Sequence, residues 1–393
     1  MHLRFLKSRL IFPLLSALIL SGCVGENARE IMGRMPYNLG RVEVAGIHEI
    51  FVATTRKKAE KPREIYGGLR SDGMSYATVT ISVPLTHKTG HLERPTTSIL
   101  KPHEYFTAVK MEAYQDRAAI SPRLSEQIRK TNGRVLLFVH GYNTYFDESV
   151  YRMTQIVHDS GYGGTPFLFT WASAGRLIDY VYDNNSATMA RDSLEETFRM
   201  LSANGATRID VIAHSMGNWL LMETFRQMAL AKETKMRERL GDVLLASPDI
   251  DVDVFKTQMR RIGKPEKPFI LMYSKNDRAL SLSGLIAGNR PRLGGISDAK
   301  DIAELGIIAV DVSSVSGGDP LGHTRFAENP ELIKMLGQQL ERDDELSAAS
   351  DGNIASGVDG LARGLGQTLS SAASIIITTP LSVARIAASG NGR

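Results

Sequence analysis

A short stretch of the chain, residues 209–220, constrains the fold more than any other and reads Ile-Asp-Val-Ile-Ala-His-Ser-Met-Gly-Asn-Trp-Leu. An apolar run that reaches a serine and continues directly as a helical pattern predicts a sharp strand-to-helix turn with the serine at its tip. Such a turn leaves little room two residues on either side, which Ala213 and Gly217 satisfy. The helix directs backbone N–H groups and its positive dipole end at Ser215. Ser215 is therefore a candidate nucleophile, and the alternative is a serine that only caps the helix.

Short apolar runs bounded by Gly, Asn or Pro recur on both sides of this turn and predict strands, several of them buried on both faces. These runs are His48–Thr54, Ser75–Val83, Val135–Val139, Pro166–Trp171, Ile209–Ala213, Asp242–Ala246, Phe269–Tyr273 and Ile307–Val312. Helical patterns lie between several of them, most clearly at Ser186–Ala203 and Gly217–Lys232. This alternation predicts an α/β fold with a mainly parallel central sheet of about eight strands flanked by helices.

Three segments of the chain do not fit this alternation of strands and helices. We expect residues 84–130 to form an irregular excursion with one helix near Pro122–Lys130, and residues 279–304 to form a lid or a pocket wall. Residues 343–393 are rich in Ala, Ser and Gly, with a narrow apolar stripe at helical spacing that includes Ile376. The stripe fits a surface-docked or partly disordered tail, or an amphipathic helix facing a membrane or partner. The predicted domain covers residues 46–342.

A second motif, Arg134-Val135-Leu136-Leu137-Phe138-Val139-His140-Gly141-Tyr142-Asn143, is a hydrophobic strand that ends in His-Gly. Glycine at this point allows backbone N–H groups to turn towards a ligand. The segment resembles the oxyanion loop of α/β-hydrolases. That resemblance assigns the oxyanion donors to the backbone N–H groups of Tyr142 and Met216. The His140 imidazole is expected to be buried and bonded to backbone, so we do not assign it as the base.

A serine hydroxyl is a weak nucleophile and needs a base that a carboxylate holds in orientation. In the α/β-hydrolase order the acid follows the serine and the histidine comes last. Asp277 closes a polar turn directly after the run Phe269–Tyr273, and His323 is the only histidine after Ser215. The sequence therefore predicts a catalytic set of Ser215, Asp277 and His323.

The competing acid belongs to the cluster Asp249, Asp251 and Asp253, which follows the preceding strand. Some α/β-hydrolases place the acid there, so Asp249 stays open as the alternative. The Asp-x-Asp-x-Asp spacing also suggests calcium, but an EF-hand needs Gly and Glu where this chain has Val254 and Arg260. The sequence shows no fingerprint for zinc, ATP or dinucleotides, and we predict no metal and no cofactor.

Taken together, these motifs resemble the α/β-hydrolase superfamily, and in particular a bacterial esterase/lipase-like family catalogued as domain of unknown function 900. The resemblance covers about residues 45–340 and includes the first-strand motif Phe51-Val52-Ala53-Thr54-Thr55-Arg56. It implies a serine hydrolase acting on carboxylic esters of small molecules or lipids through an acyl-enzyme. A thioesterase, amidase or acyltransferase needs the same residues. A non-catalytic envelope protein that binds ligands on this scaffold is the alternative from another class.

Residues 1–22 are expected to form an export signal peptide. Basic residues precede an eleven-residue apolar run, too short to span a bilayer, and the run is followed by Leu20-Ser21-Gly22-Cys23. This tetrapeptide resembles the bacterial lipobox, so we expect cleavage after residue 22, lipidation of Cys23 and a spacer over residues 23–45. Cys23 is the only cysteine, which excludes internal disulfides. By resemblance to bacterial lipoprotein sorting rules, Val24 in place of Asp after the cysteine implies the outer membrane, facing the periplasm, in an organism that has one.

The charge balance argues against nucleic acid as a partner. The formal net charge is +4, and residues 1–22 carry three basic residues and no acid, which leaves about +1 for the remainder. Binding to a nucleic-acid backbone requires a concentrated basic surface, which a near-neutral body does not supply. The expected partners are an ester substrate and, through Cys23, a membrane; the sequence identifies no protein partner.

Overall fold

The structure, a computed structural model, describes residues 32, 37–60, 64–94, 100–233, 237–341 and 375–379. Ten strands of these residues form one sheet. Their bounds are β1 Val44–Lys58, β2 Tyr66–Pro84, β3 Thr107–Tyr114, β4 Arg134–Val139, β5 Thr165–Thr170, β6 Arg208–His214, β7 Leu240–Ala246, β8 Phe269–Tyr273, β9 Ile307–Asp311 and β10 Ile376–Thr378.

Helices follow most of the strands. Their bounds are α1 Arg117–Lys130, α2 Phe146–Ser160, α3 Tyr180–Met189, α4 Arg191–Ala203, α5 Met216–Leu230, α6 Val252–Ile262, α7 Arg278–Ile286, α8 Lys300–Ala303, α9 Arg325–Glu328 and α10 Pro330–Glu341. Two short 3-10 turns, Leu177–Asp179 and Leu293–Gly295, precede α3 and follow α7.

The strand order across the sheet is β10-β9-β8-β7-β6-β4-β5-β1-β2-β3. From β9 to β1 all neighbours are parallel, while β2, β3 and β10 run antiparallel to their neighbours. In an open parallel sheet, functional groups collect in the loops at the carboxyl ends of the strands. The loops that follow β4, β6, β8 and β9 all lie at this edge.

The central parallel strands are mostly apolar because both faces of the sheet are covered. Alternate residues point to opposite faces, so Val135, Leu137 and Val139 of β4 enter one core cluster while Leu136 and Phe138 enter the other. Helices α1, α4, α5 and α6 pack on the first face, and α2 and α10 pack on the second. A three-layer α/β architecture results.

All eight predicted strands are present, and the predicted α/β-hydrolase fold is confirmed. The sheet is larger than predicted, however, because β3 and β10 were not expected. Strand β3 lies inside the segment predicted to be irregular, and it pairs with β2 along one edge only. Helix α1 begins five residues before Pro122, because Asp116 caps it by accepting a hydrogen bond from the N–H of Ala119 at 2.9 Å.

Two further boundaries differ from the sequence prediction. The helical pattern over residues 186–203 is divided at Ala190 between α3 and α4, and β1 begins two residues before the predicted domain. Ile376, which the sequence pattern places in a helical stripe, lies instead in β10, paired with Asp311 of β9. The other residues of that stripe lie outside the described part of the chain. Within the described part, no helix combines the length and apolar character needed to cross a bilayer.

Candidate active site

Ser215 lies at the tip of the turn between β6 and α5, as the motif predicts. Its backbone has φ +52° and ψ −123°, a strained conformation for a residue with a side chain, and such strain clusters at functional sites. Neighbouring backbone fixes the conformation from both sides. The N–H of Ser215 donates to Ala246 O at 3.0 Å, and its carbonyl accepts from Asp249 N at 3.2 Å.

The loop that follows β4, residues 140–144, contains the predicted oxyanion donor Tyr142, and we call it the oxyanion loop. Two glycines allow this loop to pack directly against the serine turn. A Cβ at Gly217 would lie 2.4 Å from the carbonyl oxygen of His140, and a Cβ at Gly141 would lie 2.8 Å from Cβ of Ser215. The end of β4 and the start of α5 therefore meet backbone to backbone. This contact places Gly141, the residue before Tyr142, against Ser215, which Met216 follows directly in the chain.

Asp277 and His323 form a hydrogen-bonded pair. His323 Nδ1 lies 2.7 Å from Asp277 Oδ2, while Oδ1 of the same carboxylate accepts from Leu280 N at 2.9 Å at the start of α7. Burial alone disfavours the charged imidazole, but the hydrogen bond and the charge of Asp277 outweigh it and raise the pKa of His323 above its usual 6.5. The pair thus has the orientation expected of a base and its supporting acid.

Ser215 and His323 are linked through His214. The ring of His214 lies 4.7 Å from that of His323, centroid to centroid, and His214 Nε2 donates to the backbone carbonyl of His323 at 3.2 Å. In the described residues the Ser215 hydroxyl forms no hydrogen bond to His323. Catalytic hydrogen bonds are often long before substrate binds and tighten in the substrate complex.

The loop that carries His323 is organised by one carboxylate, Asp319. Its Oδ1 accepts hydrogen bonds from the backbone N–H groups of His323 at 2.5 Å and Thr324 at 3.0 Å, and from the Thr324 hydroxyl at 3.2 Å. Its Oδ2 accepts from Leu321 N at 3.3 Å. Asp319 therefore holds the backbone from which the His323 side chain projects.

His140 is fully enclosed beneath the oxyanion loop. Its Nε2 accepts from Trp171 N at 3.2 Å, so its Nδ1 carries the proton and donates to Gly141 O at 2.8 Å. The ring stacks on Trp171 with 5.0 Å between centroids. Burial, reinforced by the positive charge of Arg56, lowers the pKa of His140 to about 3. His140 is therefore neutral and holds the Gly141 carbonyl in place.

Arg56, from the Phe-Val-Ala-Thr-Thr-Arg motif on β1, is completely buried beside His140. Burial lowers the pKa of its guanidinium to about 10, and it remains charged at neutral pH. Its hydrogen bonds join strands and loops on both sides of the site. The acceptors are Thr170 Oγ1 at 2.9 Å, Gly67 O at 3.1 Å, Ser173 O at 2.8 Å, Thr144 O at 2.6 Å and His140 Nε2 at 3.4 Å.

Asp183 on α3 is a buried carboxylate whose negative charge interacts with the positive charge of Arg56. Its carboxylate accepts from Asn143 N at 3.2 Å, the Ser173 hydroxyl at 2.5 Å and Ala174 N at 2.7 Å. Burial raises the pKa of Asp183, while these hydrogen bonds and the charge of Arg56 oppose that shift. Arg56 and Asp183 thus fix the oxyanion loop against the loop that follows β5.

The alternative acid, Asp249, lies in a different network. Its Oδ2 accepts from the Tyr180 hydroxyl at 3.0 Å, and its Oδ1 accepts from the Ser283 hydroxyl at 2.8 Å and lies 3.1 Å from Arg292 Nε. Among the described residues, the carboxylate that bonds the imidazole of His323 is that of Asp277. Asp249 joins α3 to α7, and Asp251 caps α6, so the acidic cluster has structural partners.

Exposed apolar side chains lie on the elements next to the candidate site residues, and we name them the apolar rim. Those on the α3 side adjoin Tyr142, whose hydroxyl donates to Leu177 O, and those on α7 follow Asp277 directly. Ile178 is 86% exposed and Leu285 is 63% exposed. The apolar rim comprises Leu177, Ile178, Val181, Leu282, Leu285, Ile286 and Leu321. Exposed apolar side chains beside a candidate site offer contact area for a ligand, a membrane or another protein.

A polar cavity of about 530 Å³ opens behind the histidine loop. Asp319, Leu321, Arg278 and Arg325 are among the residues that line it, and neither Ser215 nor His323 is. We therefore do not assign it as the site for an acyl group. The predicted lid segment, residues 279–304, consists here of α7, a 3-10 turn and α8, and its first helix forms one side of the apolar rim.

Sequence reasoning missed four residues that hold the site together: Arg56, Asp183, His214 and Asp319. An arginine within an apolar strand signals a buried charge, and an aspartate four residues before the candidate base signals a side-chain-capped loop. Their partners lie far away along the chain, so the sequence does not identify them. Cys23, the predicted lipidation site, lies outside the described residues.

The fold, the strained serine turn and the paired aspartate and histidine define an α/β hydrolase. The model of one family, described as alpha/beta hydrolase of unknown function (DUF900), matches residues 116–342, more than half of the chain. The chain belongs to this family. The match begins after the first-strand motif, so it covers less than the 45–340 of the expected resemblance. Comparison with curated proteins gives no match.

Solved structures of lipases and esterases are among those similar to this chain. One is the crystal structure of Aspergillus fumigatus lipase B, at 15% identity and a TM-score of 0.33; the match covers 62% of this chain and 65% of the lipase. Another is the Pyrobaculum calidifontis esterase, at 12% identity and a TM-score of 0.35; it covers 85% of this chain and 98% of the esterase. The chain thus spans about two thirds of the lipase's length.

Proposed function

We propose that this protein is a serine hydrolase that cleaves carboxylic esters through an acyl-enzyme. The observation that carries the proposal is the 2.7 Å hydrogen bond between His323 and Asp277 at the edge of the sheet where Ser215 occupies a strained turn. A serine, a base oriented by a carboxylate, and backbone donors beside the serine are the parts that acyl transfer requires.

In the proposed reaction, neutral His323 takes the proton of Ser215 as the hydroxyl oxygen attacks the ester carbonyl. The N–H groups of Met216 and Tyr142 stabilise the resulting oxyanion, and removing one such donor in a comparable enzyme costs about 3–4 kcal/mol. The imidazolium of His323 then protonates the leaving alcohol. Water, deprotonated by the same histidine, hydrolyses the acyl-serine and restores the free enzyme.

We further propose that the substrate carries an apolar chain. The apolar rim offers exposed surface for aliphatic groups on the α3 side and on α7, and Asp249 bonds these two helices through Tyr180 and Ser283. Burying each CH₂ group of an acyl chain contributes about 0.8 kcal/mol. A substrate with a longer acyl chain is therefore expected to gain kcat/KM until the rim is filled.

The proposal includes a lipid anchor at Cys23 in the bacterial cell envelope, on the outer membrane where one exists. The lipobox-like tetrapeptide Leu20-Ser21-Gly22-Cys23 supports it. Expression in a bacterium fed radiolabelled palmitate tests it. We expect the wild type to be labelled and membrane-bound, and Cys23→Ala to be neither. Equal labelling of both proteins would contradict the anchor.

Hydrolysis of p-nitrophenyl esters of increasing acyl length tests the enzymatic proposal. We expect Ser215→Ala to lose turnover, and Ser82→Ala, at another fully buried serine on β2, to retain it. Equal rates in wild type and Ser215→Ala would refute the nucleophile assignment. Folded wild type that cleaves thioesters or anilides instead would indicate a thioesterase or amidase. Absence of turnover on every substrate would favour the non-catalytic binding protein.

A further inference from the structure

A cluster of histidines lies at the opposite edge of the sheet from Ser215. His48 is near the start of β1, His87 follows β2, and His158 and Asp159 end α2. Thr54, which reaches the active-site edge at Thr170 O, lies six positions after His48 on β1, and six steps along a strand span about 20 Å. The cluster is thus separate from the proposed catalytic residues.

Asp159 is held so that one oxygen faces the cluster. Its Oδ2 accepts from Gly90 N at 2.8 Å and from the Gln155 amide at 2.5 Å. Its Oδ1 lies 2.6 Å from Nε2 of His87. The side chains of His87 and Asp159 are 4% and 1% exposed, so this contact is shielded from solvent.

The other nitrogen of His87 is also fixed by a carboxylate. Nδ1 of His87 lies 2.7 Å from Glu93 Oε2, which leaves Nε2 as the nitrogen that faces Asp159. An imidazole that donates one N–H to a carboxylate and offers the other nitrogen to a cation is the usual arrangement around protein-bound metals. Glu93 occupies that supporting position here.

His158 completes a set of three ligands. One ligand atom from each of His87, His158 and Asp159 lies within 4.8 Å of the other two. His158 is itself oriented by His48, whose Nε2 lies 3.1 Å from His158 Nδ1. Gly46 allows this packing, because a Cβ there would lie 3.0 Å from His158 Nδ1.

We propose that His87, His158 and Asp159 bind a divalent transition-metal ion, with Zn²⁺ as the best match. Two imidazole nitrogens and one carboxylate oxygen suit Zn²⁺, which commonly takes three protein ligands and a water in tetrahedral geometry. The proton between His87 Nε2 and Asp159 Oδ1 leaves to solvent, and the ion takes its place between them. The inference is independent of the proposed hydrolase activity.

Such an ion would connect parts of the fold that are distant in sequence. His87 and Glu93 belong to the segment between β2 and β3, while His158 and Asp159 end α2, which packs on the second face of the sheet. A ligand that binds only the native state stabilises it according to its concentration relative to Kd. The ion is therefore expected to fix the antiparallel edge of the sheet to α2.

Isothermal titration of the full, chelator-treated protein with Zn²⁺, and visible spectroscopy with Co²⁺, test the site. We expect one ion per chain and tetrahedral Co²⁺ bands in the wild type. His158→Ala should lose both, while His103→Ala, at an exposed histidine paired with Glu104, should retain both. Glu93→Gln keeps all three ligands and should weaken binding about 10-fold to 100-fold, which is the usual effect of losing a supporting carboxylate.

Circular dichroism and the thermal unfolding midpoint of each variant show whether it folds. Loss of Zn²⁺ binding in a folded His158→Ala protein would support the site, and so would weakened binding by Glu93→Gln. Wild type that takes up no Zn²⁺ would overturn the proposal and leave His87 as a protonated bridge between Asp159 and Glu93. Equal binding by wild type and His158→Ala would also overturn it. Neither result would bear on Ser215.

Discussion

Replacing Arg56 with methionine should reduce stability and turnover together. The guanidinium is completely buried, and each of its nitrogens donates at least one hydrogen bond. Methionine has no donor, so the carbonyls of Gly67, Ser173 and Thr144 lose this partner inside the protein, at about 1–3 kcal/mol for each stranded acceptor. Because methionine is uncharged, the variant also avoids the free-energy cost of burying the guanidinium charge, which offsets part of this loss. The net result should be a loss of about 3–5 kcal/mol from a total stability of about 5–15 kcal/mol.

The effect on turnover follows from the position of Thr144, two residues after Tyr142. Without Arg56 the oxyanion loop loses its bond to the Thr144 carbonyl at 2.6 Å. A misplaced oxyanion donor lowers kcat about 10²-fold to 10³-fold. Urea unfolding followed by circular dichroism gives the stability, and ester hydrolysis well below the unfolding midpoint gives kcat.

Arg70 is the matched control. It lies opposite Arg56 in the β1–β2 register, is half-buried, and bonds Ser186 Oγ and Tyr182 O on α3; among the described residues it forms no hydrogen bond to residues 140–144. Arg70→Met should cost about 1–2 kcal/mol, the net worth of two hydrogen bonds, with kcat near that of the wild type. If Arg56→Met and Arg70→Met changed stability and kcat by the same amounts, the positioning role of Arg56 would be refuted.

Three other variants or conditions test the site. Because only neutral His323 accepts the Ser215 proton and Asp277 raises the pKa of His323, kcat/KM should fall as pH drops through an apparent pKa above 6.5; a flat profile from about pH 5 to about pH 8 would contradict this. Asp277→Asn should lower kcat about 10⁴-fold, whereas Asp249→Asn should lower the urea midpoint and keep most turnover; the opposite order of rates would make Asp249 the acid. Gly141→Ala should abolish ester turnover, because its Cβ would lie 2.8 Å from the Ser215 Cβ; an unchanged kcat would show that the loop is wrongly placed.

The parallel sheet could be predicted because burial on both faces produces short apolar runs that are visible in the sequence. Strand β3 could not be predicted in this way, because Thr107–Tyr114 mixes apolar residues with Lys110 and Glu112. It is also the last strand of the sheet and pairs with β2 alone. Strand β10 has only three residues, too few for a recognisable sequence pattern, and it is defined by its pairing with β9. Edge strands depend on their neighbours more than on their own composition.

In the candidate site, too, some residues could be predicted from the sequence and others could not. Ser215 could be located because the steric needs of the turn fix small residues at Ala213 and Gly217, and His323 could be chosen because no other histidine follows the serine. The roles of Arg56 and Asp319 depend on tertiary contacts and leave no local pattern. His48 and His158 touch although 110 residues separate them, and no spacing rule predicts that contact.

Labelling with a fluorophosphonate probe tests the central claim, that Ser215 is an activated nucleophile, most directly. The probe reacts with serines whose hydroxyl a neighbouring base activates, and mass spectrometry of the digested protein identifies the modified residue. We expect one adduct on the peptide that carries Ser215 in wild type and in Ser82→Ala, and none in Ser215→Ala. A folded wild type that remains unlabelled, or an adduct that persists in Ser215→Ala, would contradict the account.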